Sequence, residues 1–83
     1  MSRLKLVPYR DLAKIAEAAG FEWVRNRGSH NTFRSADGRV IVIPDHGKQV
    51  IVRPLLRRLV RDMGLTIDEY NQLADSVDPI LQS

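Results

Sequence analysis

The first hydrophobic repeat of the chain has the period of an α-helix. Its apolar positions follow the i, i+3, i+4, i+7 spacing of one buried stripe, at Leu12, Ile15, Ala16 and Ala19. Pro8 suits a first helical turn, and Gly20 suits a left-handed stop after the last one. The pattern therefore predicts a helix from about Pro8 to Ala19.

Three strand-like segments follow, at about residues 22–27, 29–35 and 39–44. Gly28 permits a tight turn between the first two, and Asp37-Gly38 is typical of a two-residue hairpin turn between the second and third. The third segment is apolar at four consecutive positions, from Val40 to Ile43, and so is apolar on both faces. It is predicted to be a central strand, or one whose second face is covered by a partner.

Two further helices are predicted in the C-terminal third. One runs from about Arg53 to Met63, carries a wide leucine-rich stripe, and ends at Gly64. The other begins at a capping box formed by Thr66 and Glu69, and Asp78-Pro79 is predicted to end it before a loose tail.

This order predicts an α+β fold, α-β-β-β-α with a short additional C-terminal helix, in which helices cover one face of a three-stranded antiparallel sheet. Eighty-three residues suffice for one domain. We expect its core to span about residues 8–70 and an acidic extension to occupy residues 71–83.

The charged residues are segregated along the chain. Residues 1–24 carry a net charge of +1, residues 25–61 carry +7, and residues 62–83 carry −5. A strongly cationic middle suits a polyanionic partner, although a solvated charged surface is the simpler alternative. The chain has no Cys, no segment of about 20 apolar residues, and no apolar stretch near its N-terminus, so the expected location is the cytoplasm, with no membrane partner.

His30 is the first candidate for chemistry. It follows Gly28, and if Phe33, an odd number of positions away, points into the core, His30 points away from it. A histidine among arginines (Arg25, Arg27 and Arg34) could move a proton or simply contact a phosphate. The second role is the commoner one, and Ser29 beside it is better suited to a turn or phosphate hydrogen bond than to nucleophilic attack.

His46 lies with Lys48 in the loop before the second predicted helix, where Asp45 could orient the imidazole. A surface or loop-capping role is the alternative. Two histidines and Asp45 are too few ligands, at unrecognised spacing, for a metal site, so no metal or other cofactor is expected.

The second predicted helix carries Arg53, Arg57 and Arg61 at i, i+4 and i+8, with Arg58 beside this ridge. Like charges at this spacing repel by roughly 0.2–0.5 kcal/mol per pair. Such a ridge suits a solvated face or one that meets phosphates or an acidic protein. Phe21 and Trp23, which could stack on bases, are more often packing residues on a strand beside a core helix.

An ordered set of motifs resembles the HicA family of bacterial toxins. The set comprises Gly20-Phe21, Arg25, Gly28-Ser29-His30, the Asp37-Gly38 hairpin, the Pro44-Asp45-His46 loop and the basic-apolar helix from Arg53 to Gly64, and it covers roughly residues 8–70. Asn31 departs from the pattern, since a second histidine is frequent at that position in the family.

The resemblance implies a double-stranded-RNA-binding-like fold and a metal-independent endoribonuclease that cleaves mRNA, with a HicB-type antitoxin as its protein partner. It also implies that His30 is catalytic and that His46 has a supporting or a structural role. The residues expected to bind RNA are Arg25, Arg27, Gly28, Ser29, Arg34, His46, Lys48, Arg53 and Arg57.

Two other functions fit the residues alone. One is a non-catalytic RNA-binding module on the same fold, and the other is a protein-interaction domain whose basic face docks an acidic partner. RNA cleavage that depends on His30 would separate the enzyme from both.

Overall fold

The computed structural model describes residues 3–77, and the predicted helix end at Asp78-Pro79 and the predicted tail lie outside this range. The elements follow one another in the order α1 (Tyr9–Ala18), β1 (Phe21–Arg27), β2 (His30–Ser35), β3 (Val40–Pro44), α2 (Arg53–Asp62) and α3 (Ile67–Val77). The predicted α+β class and element order are confirmed, and each predicted boundary within the described range differs from the observed one by about one residue at most.

The three strands form one antiparallel sheet in the order β1-β2-β3. The prediction that the third strand is central is therefore wrong, because β2 is central and β3 forms an edge. The apolar residues of β3 form one row on each face of the sheet. Ile41 and Ile43 are buried, whereas Val40 and Val42 are exposed. The alternative, a partner on the second face, stays open.

Side chains alternate between the two faces of the sheet, which we call the inner and outer faces. The inner face carries the buried residues Phe21, Asn31, Phe33, Ile41 and Ile43. Helix α1 covers this face with Leu12, Ile15 and Ala16, and Tyr9 meets the ring of Phe33 at a centroid distance of 6.5 Å. Burial of a large aliphatic side chain such as Leu12 or Ile15 contributes about 1.5–3 kcal/mol to folding.

The other two helices complete the core on the same side. Helix α2 buries Leu56, Leu59 and Val60 and packs beside β3. Helix α3 packs on α1 and begins with the predicted capping box, in which the Glu69 carboxylate accepts from the Thr66 N–H and the Thr66 hydroxyl accepts from the Glu69 N–H. None of the three described helices combines the length and apolar character needed to cross a bilayer.

The N-terminal segment, residues 3–8, is held between the C-terminal helix and the loop before α2. The Tyr70 hydroxyl donates to the Lys5 carbonyl at 2.5 Å, and the N–H of Ile51 donates to the Val7 carbonyl at 2.9 Å. Burial raises the pKa of Tyr70, so its hydroxyl stays protonated and can donate this bond. Helix α3 thus holds the N-terminal segment in place.

The turn between β2 and β3 differs from the predicted two-residue form. Ser35 and Arg39 are the last hydrogen-bonded pair, with three residues between them, and only Gly38 has a positive φ. A two-residue type I′ turn requires positive φ at both central positions, which Asp37 does not adopt. The prediction of a hairpin at this position is confirmed, but its length is wrong by one residue.

Candidate nucleic-acid interface

The sheet register brings the predicted site residues of the strands together on the outer face. Arg27 lies directly opposite His30, and Arg25 lies opposite Thr32 on the same side. Arg34 follows on β2, two positions beyond Thr32. The parity argument for His30 is confirmed, since Phe33 is buried and His30 is exposed.

A β-bulge in β1 makes this arrangement possible. Trp23 pairs with Phe33, and Arg25 pairs with the next residue, Thr32, so that Val24 is an extra residue without its own partner. In a regular strand Arg25 and Arg27 would share the inner face with Phe21 and Trp23. The bulge shifts the alternation by one residue and turns both arginines outward. The sequence analysis did not predict this bulge.

The turn that joins β1 to β2 consists of Gly28 and Ser29. Gly28 has a φ of +64°, and Ser29 has a negative φ, which is the pattern of a type II′ turn with glycine at its first central position. The side-chain amide of Asn26 donates to the Gly28 carbonyl at 2.8 Å. The turn therefore places Arg27 and His30 beside one another at the end of the hairpin.

Asn31 fixes the same hairpin from the inner face. Its side chain is 6% exposed, and its Oδ1 accepts from the Trp23 indole N–H at 3.0 Å and from the Asn26 amide at 3.2 Å. The two hydrogen bonds connect β1 residues on either side of the bulge to β2. Phe21 is a packing residue, as predicted, whereas Trp23 remains 51% exposed with its indole N–H engaged.

His30 also lines a cleft of about 310 Å³ between β3 and α2. The α2 side of this cleft includes Leu55, Arg58 and Asp62, and Arg58 Nε lies 3.8 Å from the Asp62 carboxylate. Arg58 is therefore the arginine of α2 that shares a cleft with His30. Arg58 follows Leu55 by three residues and precedes Leu59 by one, so it borders the apolar stripe of α2. This position in the sequence could have indicated that Arg58 lies near the sheet.

The other predicted α2 residues lie elsewhere. The guanidinium of Arg53 donates to the Leu4 carbonyl at 3.2 Å and so ties α2 to the N-terminal segment. Arg57 is exposed and is not among the residues that line the His30 cleft.

The loop after β3 adjoins the turn at Gly28. The N–H of Asp45 donates to the Ser29 carbonyl at 2.7 Å, and His46 and Lys48 are exposed in the same loop. The Asp45 carboxylate accepts from the Gly47 N–H at 2.9 Å, so it shapes the loop instead of orienting the His46 imidazole. The pKa of nearby Tyr9 is raised mainly by burial of its own hydroxyl and, to a smaller extent, by the negative charge of Asp45.

The outer face is thus rich in cationic side chains that lack acidic partners. Within residues 3–77, Arg25, Arg27 and Arg34 form no ion pair, whereas Arg39 lies 3.4 Å from Asp37. No three His, Cys, Asp or Glu side chains in that range are grouped as metal ligands. Unpaired guanidinium groups around an exposed imidazole can bind a phosphodiester and allow proton transfer beside it.

Comparison with known proteins identifies the family. No sequence among curated proteins matches the chain. The family model described as the HicA toxin of bacterial toxin–antitoxin systems matches residues 9–65, from the first residue of α1 to just beyond the end of α2. This range includes the whole sheet, the bulge, His30 and the cleft, and the chain therefore belongs to the HicA toxin family.

Proposed function

We propose that this toxin is an endoribonuclease that cleaves mRNA in the cytoplasm and so stops translation. The observation that carries the proposal is the grouping of His30 with Arg25, Arg27 and Arg34 on the outer face. The family membership adds that the chain is the toxin of a toxin–antitoxin system, and a HicB-type antitoxin is the proposed protein partner.

RNA supplies its own nucleophile, and this makes a small set of side chains sufficient. In the proposed step His30 removes the proton of a 2′-hydroxyl, whose oxygen attacks the adjacent phosphorus. The bond to the 5′-oxygen breaks, and that oxygen takes up a proton, so the products carry a 2′,3′-cyclic phosphate and a 5′-hydroxyl. His30 is the general base in this cycle, and its imidazolium can return a proton.

The arginines stabilise the charge that develops on the phosphorane. Arg27, directly opposite His30, is best placed to contact the scissile phosphate, with Arg25 and Arg34 on neighbouring phosphates. Further phosphate contacts are proposed for the Gly28-Ser29 turn and for His46 and Lys48 in the adjoining loop. Arg53, whose guanidinium also donates to the Leu4 carbonyl, and the exposed Arg57 are proposed as outlying phosphate contacts on α2.

The test is cleavage of a defined mRNA by the purified chain in EDTA, compared with the His30→Ala variant. Loss of a general base is expected to lower the cleavage rate by about 100-fold or more. Since His30 is exposed, its removal should leave the melting temperature unchanged. His46→Ala, which removes a proposed phosphate contact but not the general base, should weaken RNA binding and leave the cleavage rate at saturating RNA nearly unchanged.

The alternatives predict different results. Salt-sensitive RNA binding without cleavage by the unmodified chain would favour the RNA-binding module. Cleavage that survives His30→Ala would place catalysis at other residues. An absence of RNA affinity at low salt would leave the protein-interaction domain.

A further inference from the structure

The edge strand β3 exposes an apolar row that folding of this chain leaves uncovered. Val40 is 55% exposed and Val42 is 41% exposed, both on the outer face. They lie beside Arg34 and Thr32, their partners on β2. Together with the apolar lining of the adjoining cleft, these two β-branched side chains extend an apolar strip along the sheet edge.

The register also shows which backbone groups of β3 are directed away from the sheet. The Ser35 N–H donates to the Arg39 carbonyl at 2.9 Å, and the Asp45 N–H donates to the Ser29 carbonyl at 2.7 Å. In an antiparallel pair, hydrogen-bonded and non-hydrogen-bonded residue pairs alternate. Ile41 and Ile43 therefore bond to β2, whereas the N–H and C=O groups of Val40 and Val42 point toward the free edge.

A cleft runs along this free edge. It is lined by β3 from Val40 to Val42 and by Leu55 and Leu59 of α2. Arg39 closes it near the start of β3, because its guanidinium lies against Gly64 at the end of α2, where an added Cβ would collide with it. The cleft thus offers backbone hydrogen-bonding groups on one side and apolar side chains on the other.

Three of the devices that commonly protect an edge strand are absent from β3 itself. Within β3 there is no bulge in its pairing with β2, no lysine, and no proline before Pro44 at its last position. Natural edge strands are usually protected by one of these features. An unprotected edge with an apolar row and an open cleft favours a fourth strand supplied by another chain.

The charges around the edge indicate which chain supplies the fourth strand. His30 and Arg58 line the cleft beside the edge, Arg34 pairs with Val40, and the acid in the cleft lining, Asp62, lies 3.8 Å from Arg58. A second copy of this protein would bring the same arginines against one another. A strand that alternates acidic and apolar residues would satisfy both the cations and the valines.

We propose that the free edge of β3 accepts such a strand, acidic and apolar in alternation, from the antitoxin. This inference rests on the proposed function only in taking the antitoxin as the partner. The added strand pairs with Val40 and Val42 and occupies the cleft that His30 also lines. Neutralisation follows from that position, because RNA cannot approach His30 from the occupied side.

The direct test is hydrogen exchange of the unmodified chain, free and in complex with its co-expressed antitoxin. In the free chain the amides of Ile41 and Ile43 should exchange slowly and those of Val40 and Val42 rapidly. In the complex the Val40 and Val42 amides should slow by at least about tenfold. Unchanged exchange of these two amides in the complex, or no complex at all, would overturn the proposal.

A backbone variant tests the same contact by affinity. Val42→Pro removes an N–H that points away from β2, so the β2–β3 ladder is kept, as edge prolines allow. We expect antitoxin binding to weaken by about tenfold or more, the equivalent of one backbone hydrogen bond and its apolar contact. A melting temperature close to that of the unmodified chain checks that the variant folds.

A matched pair separates edge pairing from coverage of the whole outer face. Val24 is 42% exposed, nearly the same as Val42, but lies on β1 at the opposite side of the sheet. Val42→Thr should weaken antitoxin binding several-fold, and Val24→Thr by less than about twofold. Equal losses, or a dimer of the chain formed through β3, would each contradict addition of an antitoxin strand.

The two proposals fail in different assays. Cleavage of mRNA is measured on the free toxin, whereas amide protection is measured on its complex with the antitoxin. A chain that binds the antitoxin through β3 but cleaves no RNA would refute only the proposed function. A chain that cleaves RNA and leaves its β3 edge exposed in the complex would refute only this inference.

Discussion

The two hairpins of the sheet share strand β2 but differ in construction. The β1–β2 hairpin has a two-residue turn at Gly28 and Ser29 and a bulge at Val24. The β2–β3 hairpin pairs without any shift of register and closes through three residues after Ser35. The first turns its arginines toward solvent, and the second presents valines.

The polar groups of the two hairpins are also used differently. In the β2–β3 hairpin the Ser35 hydroxyl bonds to the Asp37 carboxylate and lowers its pKa, and Asp37 pairs with Arg39. These charges are satisfied within the turn. In the β1–β2 hairpin the amides of Asn26 and Asn31 hold the backbone, and Arg25 and Arg27 make no ion pair with any residue in the described range. The irregular hairpin is the one with cations available to a ligand.

The largest expected difference between the hairpins concerns their arginines. Arg25→Ala with Arg27→Ala should weaken RNA binding by about 100-fold, if each residue loses one charged hydrogen bond of about 1.5 kcal/mol. The slope of log affinity against log salt should fall by about 1.4, which corresponds to two phosphates of a single strand. The melting temperature should not change.

Arg39→Ala is the matched control for this pair. Arg39 contacts Asp37 and lies against Gly64, so its loss should lower the melting temperature and leave the salt slope unchanged. Both quantities are obtained from fluorescence titrations at several salt concentrations and from thermal melts. An equal loss of RNA affinity from Arg39→Ala would show that the cations act together as a general field and not at defined positions on the outer face.

The second prediction concerns the side chains that hold each hairpin. Asn31→Ala removes the acceptor for Trp23 and Asn26, and we expect it to lower the free energy of unfolding by about 1–2 kcal/mol. Ser35→Ala is its counterpart in the other hairpin, where the hydroxyl accepts from the Arg39 N–H at 3.1 Å. Denaturant unfolding should show losses for both variants, but only Asn31→Ala should reduce RNA cleavage. Similar cleavage by both would mean that Asn31 stabilises the fold without positioning the outer-face residues.

The regular helices and strands of the molecule could be predicted from the sequence. The helix period at Leu12, Ile15 and Ala16 and the capping box at Thr66 are local signals, and both predictions are confirmed. The face of His30 followed from the parity of a strand that contains no bulge. Such features need only one element and its own residues.

The features that complete the site depend on two elements at once. At the bulge, β1 has one residue more, Val24, than the stretch of β2 with which it pairs. The residue types within β1 do not predict this extra residue. The position of Arg58 in the His30 cleft depends on the rotation of α2 against β3. The order of strands, which made β3 an edge, is likewise a choice among long-range pairings that hydrophobicity alone does not decide.

The smallest predicted effects compare the two glycines of the turns. Gly28 has a φ of +64° and Gly38 a φ of +91°, and a Cβ on either would meet no atom within 4 Å. Substitution by alanine therefore costs only backbone strain, about 1 kcal/mol at Gly38 and more at Gly28, because the first central position of a type II′ turn lies in a region that glycine alone adopts readily. Thermal melts should show a modest loss of stability for both variants, larger for Gly28→Ala.

Function should separate these two variants more sharply than stability does. Gly28→Ala strains the turn between Arg27 and His30, and small displacements of reacting groups reduce rates steeply, so RNA cleavage should fall by about tenfold. Gly38→Ala strains a turn at the opposite end of β2 and should leave cleavage unchanged at temperatures where both variants are folded. Equal cleavage by the two variants would indicate that the geometry of the Gly28 turn is not what brings Arg27 and His30 together at the scissile phosphate, and would direct attention to Arg34 and Arg58 instead.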